Sequence, residues 1–198
     1  MSETTEKKGF WRRLLFSETL DKSSKGLKIA YIAMVTAIAV VENSLLELKF
    51  GTVQFSLTLF LSSFAGIFLG GVAGFCACFL GDGIGFLIHP FGEYSPWIGI
   101  STGLAALITA IVCQLPPNRR LVHLRLAAGC LITFVICTCG ITTLYLNLVW
   151  ASKVPFFDYL LTRLFVQGQI WNTLLNSALT VALLPVLEKI KPLKIKIR

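Results

Sequence analysis

The sequence predicts an all-α integral membrane protein of six transmembrane helices with both termini on the cytoplasmic side. Three observations lead there. The 198 residues are 55% apolar and 14% charged, with a mean hydropathy of +0.76, outside the range of soluble domains. The apolar residues fall into long runs, near 27–46, 55–88, 97–115, 126–150 and 164–187. Lys and Arg gather almost entirely at the edges of these runs and in the tails.

The run from Phe55 to Ile88 decides the count. It carries one charged residue, Asp82, and a Gly70–Gly71 pair near its middle. As a single helix it would be about 51 Å long, against a hydrocarbon core of roughly 30 Å. Two helices reversing at the glycine pair give roughly 25 Å each, which a locally thinned bilayer accommodates. Charge checks the choice, because one added span moves every later loop to the other side. Read as one span, the run leaves nine Lys/Arg on each side; read as two, it puts fifteen on the side of the termini and three, Lys49, Lys153 and Arg163, on the other. Cytoplasmic segments carry the Lys/Arg excess, so six spans with both ends inside is the expectation.

Residues 1–26 then form a basic cytoplasmic tail, 27–188 the six-helix domain, and 189–198 a second basic tail. The start is polar and lacks the apolar core and cleavage site of a signal peptide. Within it FWRRLLF is too short to span and fits either an interfacial helix or a loosely ordered tail. The net charge of +8 follows from topology rather than from nucleic acid, since no basic face is interleaved with aromatics. All six cysteines lie within predicted spans and read as small apolar residues. Cys76/Cys78 and Cys137/Cys139 are two apart and point to different sides of a helix, so neither pair can chelate one ion.

Span one carries Ala33 and Ala37 on one face, a spacing that admits close approach of another helix, either of this chain or of a second subunit. Glu42, Asn43 and Glu47 follow near its outer end, and Leu48–Gln54 forms an outer loop. Gly66, Gly70 and Gly74 recur every four residues. Asp82, inside span three, is expensive in lipid unless it faces protein or a wet cavity, which makes it either a functional group or a helix-packing hydrogen bond. The loop His89-Pro-Phe-Gly-Glu-Tyr-Ser-Pro-Trp97 sets Phe91, Tyr94 and Trp97 for stacking on a ring and Glu93 as an acceptor; aromatic anchoring at the interface is the alternative.

Span four ends at Pro116–Pro117 and a basic loop reaching Arg125. Span five brings Tyr145 and Asn147 toward its outer end, and the last outer loop holds Lys153. In span six Arg163, Gln167 and Trp171 are spaced by four and predict one polar face, with Arg163 either paired to a carboxylate or snorkelling to the interface. Gln167, Asn172 and Asn176 are amides in an apolar helix and need partners.

No catalytic constellation is present. The chain has no G-x-x-x-x-G-K-[ST], no H-E-x-x-H and no G-x-S-x-G, and its two histidines, His89 and His123, fall on opposite sides of the bilayer. The reading is therefore no enzyme, no cofactor and no metal, with polar and aromatic groups gathered at the outer end as for a pocket open to the outside.

The Ala33-x-x-x-Ala37 pair, the segment Val53-Gln-Phe-Ser-Leu followed by Gly66-Ile-Phe-Leu-Gly-Gly-Val-Ala-Gly74, the run from Gly81-Asp-Gly-Ile-Gly85 through Pro96-Trp97, and Arg163 to Asn176 carry a resemblance. Over roughly 28–188 the chain resembles the substrate-binding S components of energy-coupling factor (ECF) vitamin transporters, in particular the folate-family ones. The resemblance implies a six-helix plasma-membrane protein that captures a vitamin from outside. It docks through Ala33 and Ala37 on a transmembrane T subunit coupled to two cytoplasmic ATPases. Phe91, Tyr94 and Trp97 would stack on a heterocycle; Asp82, Glu93 and Gln167 would fix its polar edge, with Asn147 nearby; Arg163 or Lys153 would meet an acidic tail. The alternative is a proton- or ion-coupled transporter of a small organic solute with Asp82 as relay, although no internal repeat of the kind such carriers show is visible.

Overall fold

The computed structural model describes residues 16–46, 48–50, 53–90, 94–114 and 122–189. Most of FWRRLLF, Phe91 and Glu93, the loop from 115 to 121 and the tail from 190 lie outside the described residues.

A single turn, α1 (Glu18–Asp21), leads to α2 (Lys25–Val41). Ser24 caps α2, its side chain accepting from the Leu27 N–H. The helix continues as a π segment, Glu42–Leu46, in which each backbone bond reaches one residue further and the following side chains rotate around the axis. The outer loop of the sequence reading is a two-stranded hairpin instead: β1 (Leu48–Phe50) pairs antiparallel with β2 (Val53–Phe55), Lys49 opposite Gln54. The protein is thus helical apart from this hairpin among the described residues.

The long apolar run divides into α3 (Thr58–Leu69) and α4 (Gly71–Ile88), and the break is at Gly70, with φ of 100°. That backbone disfavours a side chain, and a Cβ there would also overlap the backbone of Phe16 and Ser17. Ser17 closes the end of α3: its N–H donates to the Leu69 carbonyl at 2.9 Å and its hydroxyl to that of Phe68 at 2.5 Å. Gly66 lies directly under the Ala106 carbonyl and Gly81 against Ala39, close approaches that any side chain would block.

Helix α5 (Pro96–Gln114) packs on α3 and α4. Helix α6 (Val122–Thr133) runs through a nine-residue π segment, Phe134–Thr142, into α7 (Thr143–Trp150). Finally α8 (Phe156–Leu161) passes into a π segment, Thr162–Val166, and α9 (Gln169–Lys189) follows.

The sixth run departs from its expectation as one regular helix. Gln167 N–H bonds back to the Thr162 carbonyl, and Gly168 takes φ of 73°, which ends the first piece and redirects the chain. The predicted Arg163–Gln167–Trp171 face therefore does not form: Arg163 is buried, while Trp171 is 65% exposed.

The core centres on Phe68, Leu69 and Val35 with many small residues, among them Ala65, Ala77, Ala106 and Cys113. Large apolar side chains point outward; Leu87 is 79% and Leu45 70% exposed, the inverse of a soluble protein. Among the described residues four helical stretches, Lys25–Leu46, Gly71–Ile88, Pro96–Cys113 and His123–Trp150, are long and apolar enough to cross a membrane, and Thr58–Leu69 is a shorter apolar helix.

Candidate functional site

The head of α3 is built by other helices. A helix begins with N–H groups that have no partner within it. Here Glu42 accepts from the Leu57 N–H at 2.9 Å and from the Thr58 hydroxyl at 3.0 Å. Asn172 accepts from the Ser56 N–H at 3.3 Å, and Asn176 from the Phe60 N–H at 3.0 Å. Asn176 also donates to the Ser56 carbonyl and to the Asn172 carbonyl, both at 2.8 Å. The end of α2 and the start of α9 are thereby pinned to α3, and the amides of the sixth run find their partners.

Around this head lies a cavity of about 470 Å³. Its wall includes Glu42, Asn43, Ser56, Thr58, Asp82, Phe86, His89, Tyr94, Ser95, Thr102, Thr142, Arg163 and Gln169. It sits at the end of the bundle where α4 finishes and α5 begins, and is called the rim chamber below. An adjoining chamber of about 130 Å³ extends further along α5 to Ala105, and along the π segment that follows α6 through Thr138 and Cys137 to Thr133 at the end of α6. Ser56, Thr58, Thr102, Thr142, Arg163 and Gln169 belong to both walls. The three π segments among the described residues contribute to these walls, through Glu42 and Asn43, through Cys137, Thr138 and Thr142, and through Arg163. Such bulges commonly occur at functional sites because they re-aim side chains.

Asp82 is buried, lines the rim chamber and accepts from the Asn43 side-chain amide at 3.0 Å. Tyr94 lines it too, with its ring against Phe86 at 5.1 Å. Desolvation first, and then the Asp82 carboxylate, push the Tyr94 phenol up from its ordinary value, so it remains a protonated donor. Arg163 is 6% exposed and donates through Nη1 to the Thr143 hydroxyl at 2.8 Å and through Nε to Gln167 at 3.3 Å. Nη2 has no partner among the described residues, and no carboxylate lies within ion-pairing reach of this guanidinium there. Gln167 thus reaches the site through Arg163.

Asn147 donates to the Ala151 and Val154 carbonyls, at 3.1 and 3.0 Å, and so closes the turn between α7 and α8. Lys153, in that turn, is exposed, and Trp97 is 54% exposed; neither lines the two chambers. Ala33 and Ala37 are exposed on α2, on the side away from the buried Val35 and Ala39. Among the described residues no group of three or more His, Cys, Asp or Glu lies together as metal ligands would.

The sequence reading did not single out Ser56, Thr58, Phe86, Ser95, Thr102, Thr142 or Gln169. One signal was available: Ile98, Ser101, Thr102 and Ala105 recur at helical spacing and form the strip of α5 that lines the deep chamber.

Apolar outward surfaces and a two-chambered polar cavity define a helical membrane protein with a solute-sized internal site. The model of the family described as ECF-type riboflavin transporter, S component, matches residues 23–191, and the chain belongs to that family, a substrate-binding transporter component. The crystal structure of FolT bound with folic acid has the same fold, with a TM-score of 0.63 over 81% of this chain and 90% of that chain, at 19% identity. No curated protein matches the sequence.

Proposed function

We propose that this protein is the substrate-capture subunit of an ECF-type importer. It takes folate or a related heterocyclic vitamin from outside a bacterial cell and delivers it through a T subunit and two cytoplasmic ATPases. In this reading six helices cross the plasma membrane, both termini are cytoplasmic, and the rim chamber faces outward. The protein is a binding subunit and no enzyme, so ATP is consumed by its partners.

The observation that carries the reading is one cavity holding a buried guanidinium whose Nη2 has no partner among the described residues, the Asp82 carboxylate and the aromatic pair Phe86–Tyr94. About 470 Å³ is within the range of small-molecule sites. Arginine suits a planar anion because its fork makes two parallel hydrogen bonds. A carboxylate suits the N–H edge of a heterocycle, and aromatic rings suit its faces. Asp82, Glu93 and Gln167 hold the polar edge, Gln167 by steadying Arg163. Phe91, Tyr94 and Trp97 stack or close over the ring, Asn147 shapes the adjoining turn, and Arg163 or Lys153 meets an acidic tail. Ala33 and Ala37 form the contact with the T subunit, since small exposed side chains let another helix approach closely.

Mass spectrometry of small molecules extracted from the purified protein tests this. The expected result is a stoichiometric heterocyclic vitamin. A protein that carries none and stays indifferent to a vitamin panel would sink the proposal. Uptake that collapses with an uncoupler and needs no ATPase would favour the ion-coupled alternative.

A further inference from the structure

Arg163 reaches into both chambers, yet the atoms that aim it lie outside them. A guanidinium on a long side chain has many rotamers, and it recognises a ligand well only if its plane is already held. Among the described residues two acceptors hold it: the Thr143 hydroxyl takes Nη1 at 2.8 Å and the Gln167 side-chain oxygen takes Nε at 3.3 Å. Thr143 makes the shorter contact and is 1% exposed, which makes it the firmer anchor. It lines neither chamber.

A hydroxyl is ordinarily a poor guide, because its proton rotates and its oxygen both donates and accepts. In this protein Thr36, Thr109, Thr162 and Thr180 each donate to the carbonyl four residues earlier, the usual resting place in a helix. Thr143 donates instead to the Thr138 carbonyl, five residues earlier, at 2.6 Å. That reach belongs to the π segment Phe134–Thr142, at whose end the Thr143 N–H meets the same carbonyl. With its proton committed there, the Thr143 oxygen has only lone pairs left to offer, and Nη1 meets an acceptor of fixed direction. The π segment is itself tied to α5: Thr142 donates to Ser101 Oγ at 2.9 Å, and Ser101 donates to the Cys137 carbonyl at 3.2 Å. The second anchor repeats the pattern, since the Gln167 N–H reaches back five residues to the Thr162 carbonyl where the π segment Thr162–Val166 ends.

We infer that Thr143 is a positioning residue for ligand recognition: set by the π segment before it, it fixes the Arg163 guanidinium in the attitude from which its remaining N–H groups meet the vitamin. This rests on the vitamin-capture reading above and adds to it a residue that acts only through Arg163. Without the anchor the side chain gains rotamers that binding must remove again, so the cost falls on affinity. The ligand-free protein is little affected, because Arg163 borders a polar cavity and the Thr138 carbonyl keeps the Thr143 N–H.

The experiment is a double-mutant cycle on the purified full chain, titrated with folic acid and riboflavin and read on the one that binds. Thr143→Val, nearly unchanged in shape, is expected to weaken binding about tenfold, and Thr143→Ser, which keeps the hydroxyl, to stay within about twofold of wild type. In an Arg163→Met background Thr143→Val is expected to change affinity by less than about twofold, because the anchor has nothing left to hold. A threonine that only supports the fold would cost the same in both backgrounds, so equal losses overturn the inference. So does a Thr143→Val protein that binds like wild type, or a Thr143→Ser protein as weak as Thr143→Val. If Thr143→Val does not fold, Thr143→Ala completes the same cycle. Each of these results leaves vitamin capture standing, whereas binding of neither vitamin overturns capture itself and the role of Thr143 with it.

Discussion

Replacing Asn176 with leucine removes one side chain that holds three elements together. Asn176 is wholly buried, accepts from the Phe60 N–H and donates to the carbonyls of Ser56 and Asn172. The Asn172 carbonyl lies within α9, where a backbone partner remains available. The Phe60 N–H is in the first turn of α3 and the Ser56 carbonyl precedes it, so both lose their protein partner in a half-buried position. At about 2 kcal/mol for each stranded group, the loss is about 4 kcal/mol, large against the whole stability of a domain. Interhelical hydrogen bonds in membrane proteins average nearer 0.6 kcal/mol, which sets a floor of about 1 kcal/mol for the pair. Because Ser56 and Thr58 line both chambers, ligand affinity should fall together with stability. The assay is thermal unfolding in detergent followed by size-exclusion chromatography, with vitamin binding measured on the surviving fraction. Asn176→Asp keeps the acceptor for Phe60 and loses the donor to Ser56, so it should fall between wild type and Asn176→Leu. If Asn176→Leu melts within about one degree of wild type and binds equally well, the pinning of the α3 head is not what shapes the cavity.

Four further outcomes follow. Gly70→Ala combines a left-handed backbone with overlap against Phe16 and Ser17, and should cost about 2 kcal/mol or more, read as lost thermal stability and as faster proteolysis near residues 16–20. Arg163→Met should leave ligand-free stability nearly unchanged, because Arg163 is held by dipoles alone among the described residues, yet lower the affinity for an anionic vitamin by about two orders of magnitude in a titration. Ala33→Trp should abolish pull-down of the T subunit while vitamin binding persists; retained pull-down would remove α2 as the contact. Impermeant thiol labelling of a cysteine added at the carboxyl terminus should require permeabilised cells, and labelling from outside would place the rim chamber on the wrong side of the membrane.

Much of the helical plan was legible because it rests on length and charge. The Gly70–Gly71 pair announced the reversal between α3 and α4, and the structure puts a positive φ at that glycine. Asp82 in an apolar helix announced a partner, found in Asn43. Asn172 and Asn176 likewise announced partners, without saying which. What stayed hidden has physical causes. A π segment is one extra residue in a turn and leaves no compositional mark, so the re-aiming of Glu42 and Arg163 could not be seen. Serine and threonine in apolar helices usually bond their own backbone, which disguised Thr58 and Thr142 as filler rather than cavity wall. The hairpin at Leu48–Phe55 has only three residues in each strand, too few for an alternating pattern to register. Gly168, a lone glycine flanked by glutamines, hid the break that turns Trp171 away from Arg163.

The central claim is that the two-chambered cavity captures a vitamin, and equilibrium titration of the purified protein with folic acid and riboflavin tests it most directly. The account predicts saturable binding of one of them at one molecule per chain, weakened by both Asp82→Asn and Arg163→Met. Binding of neither, or binding indifferent to both substitutions, would contradict it.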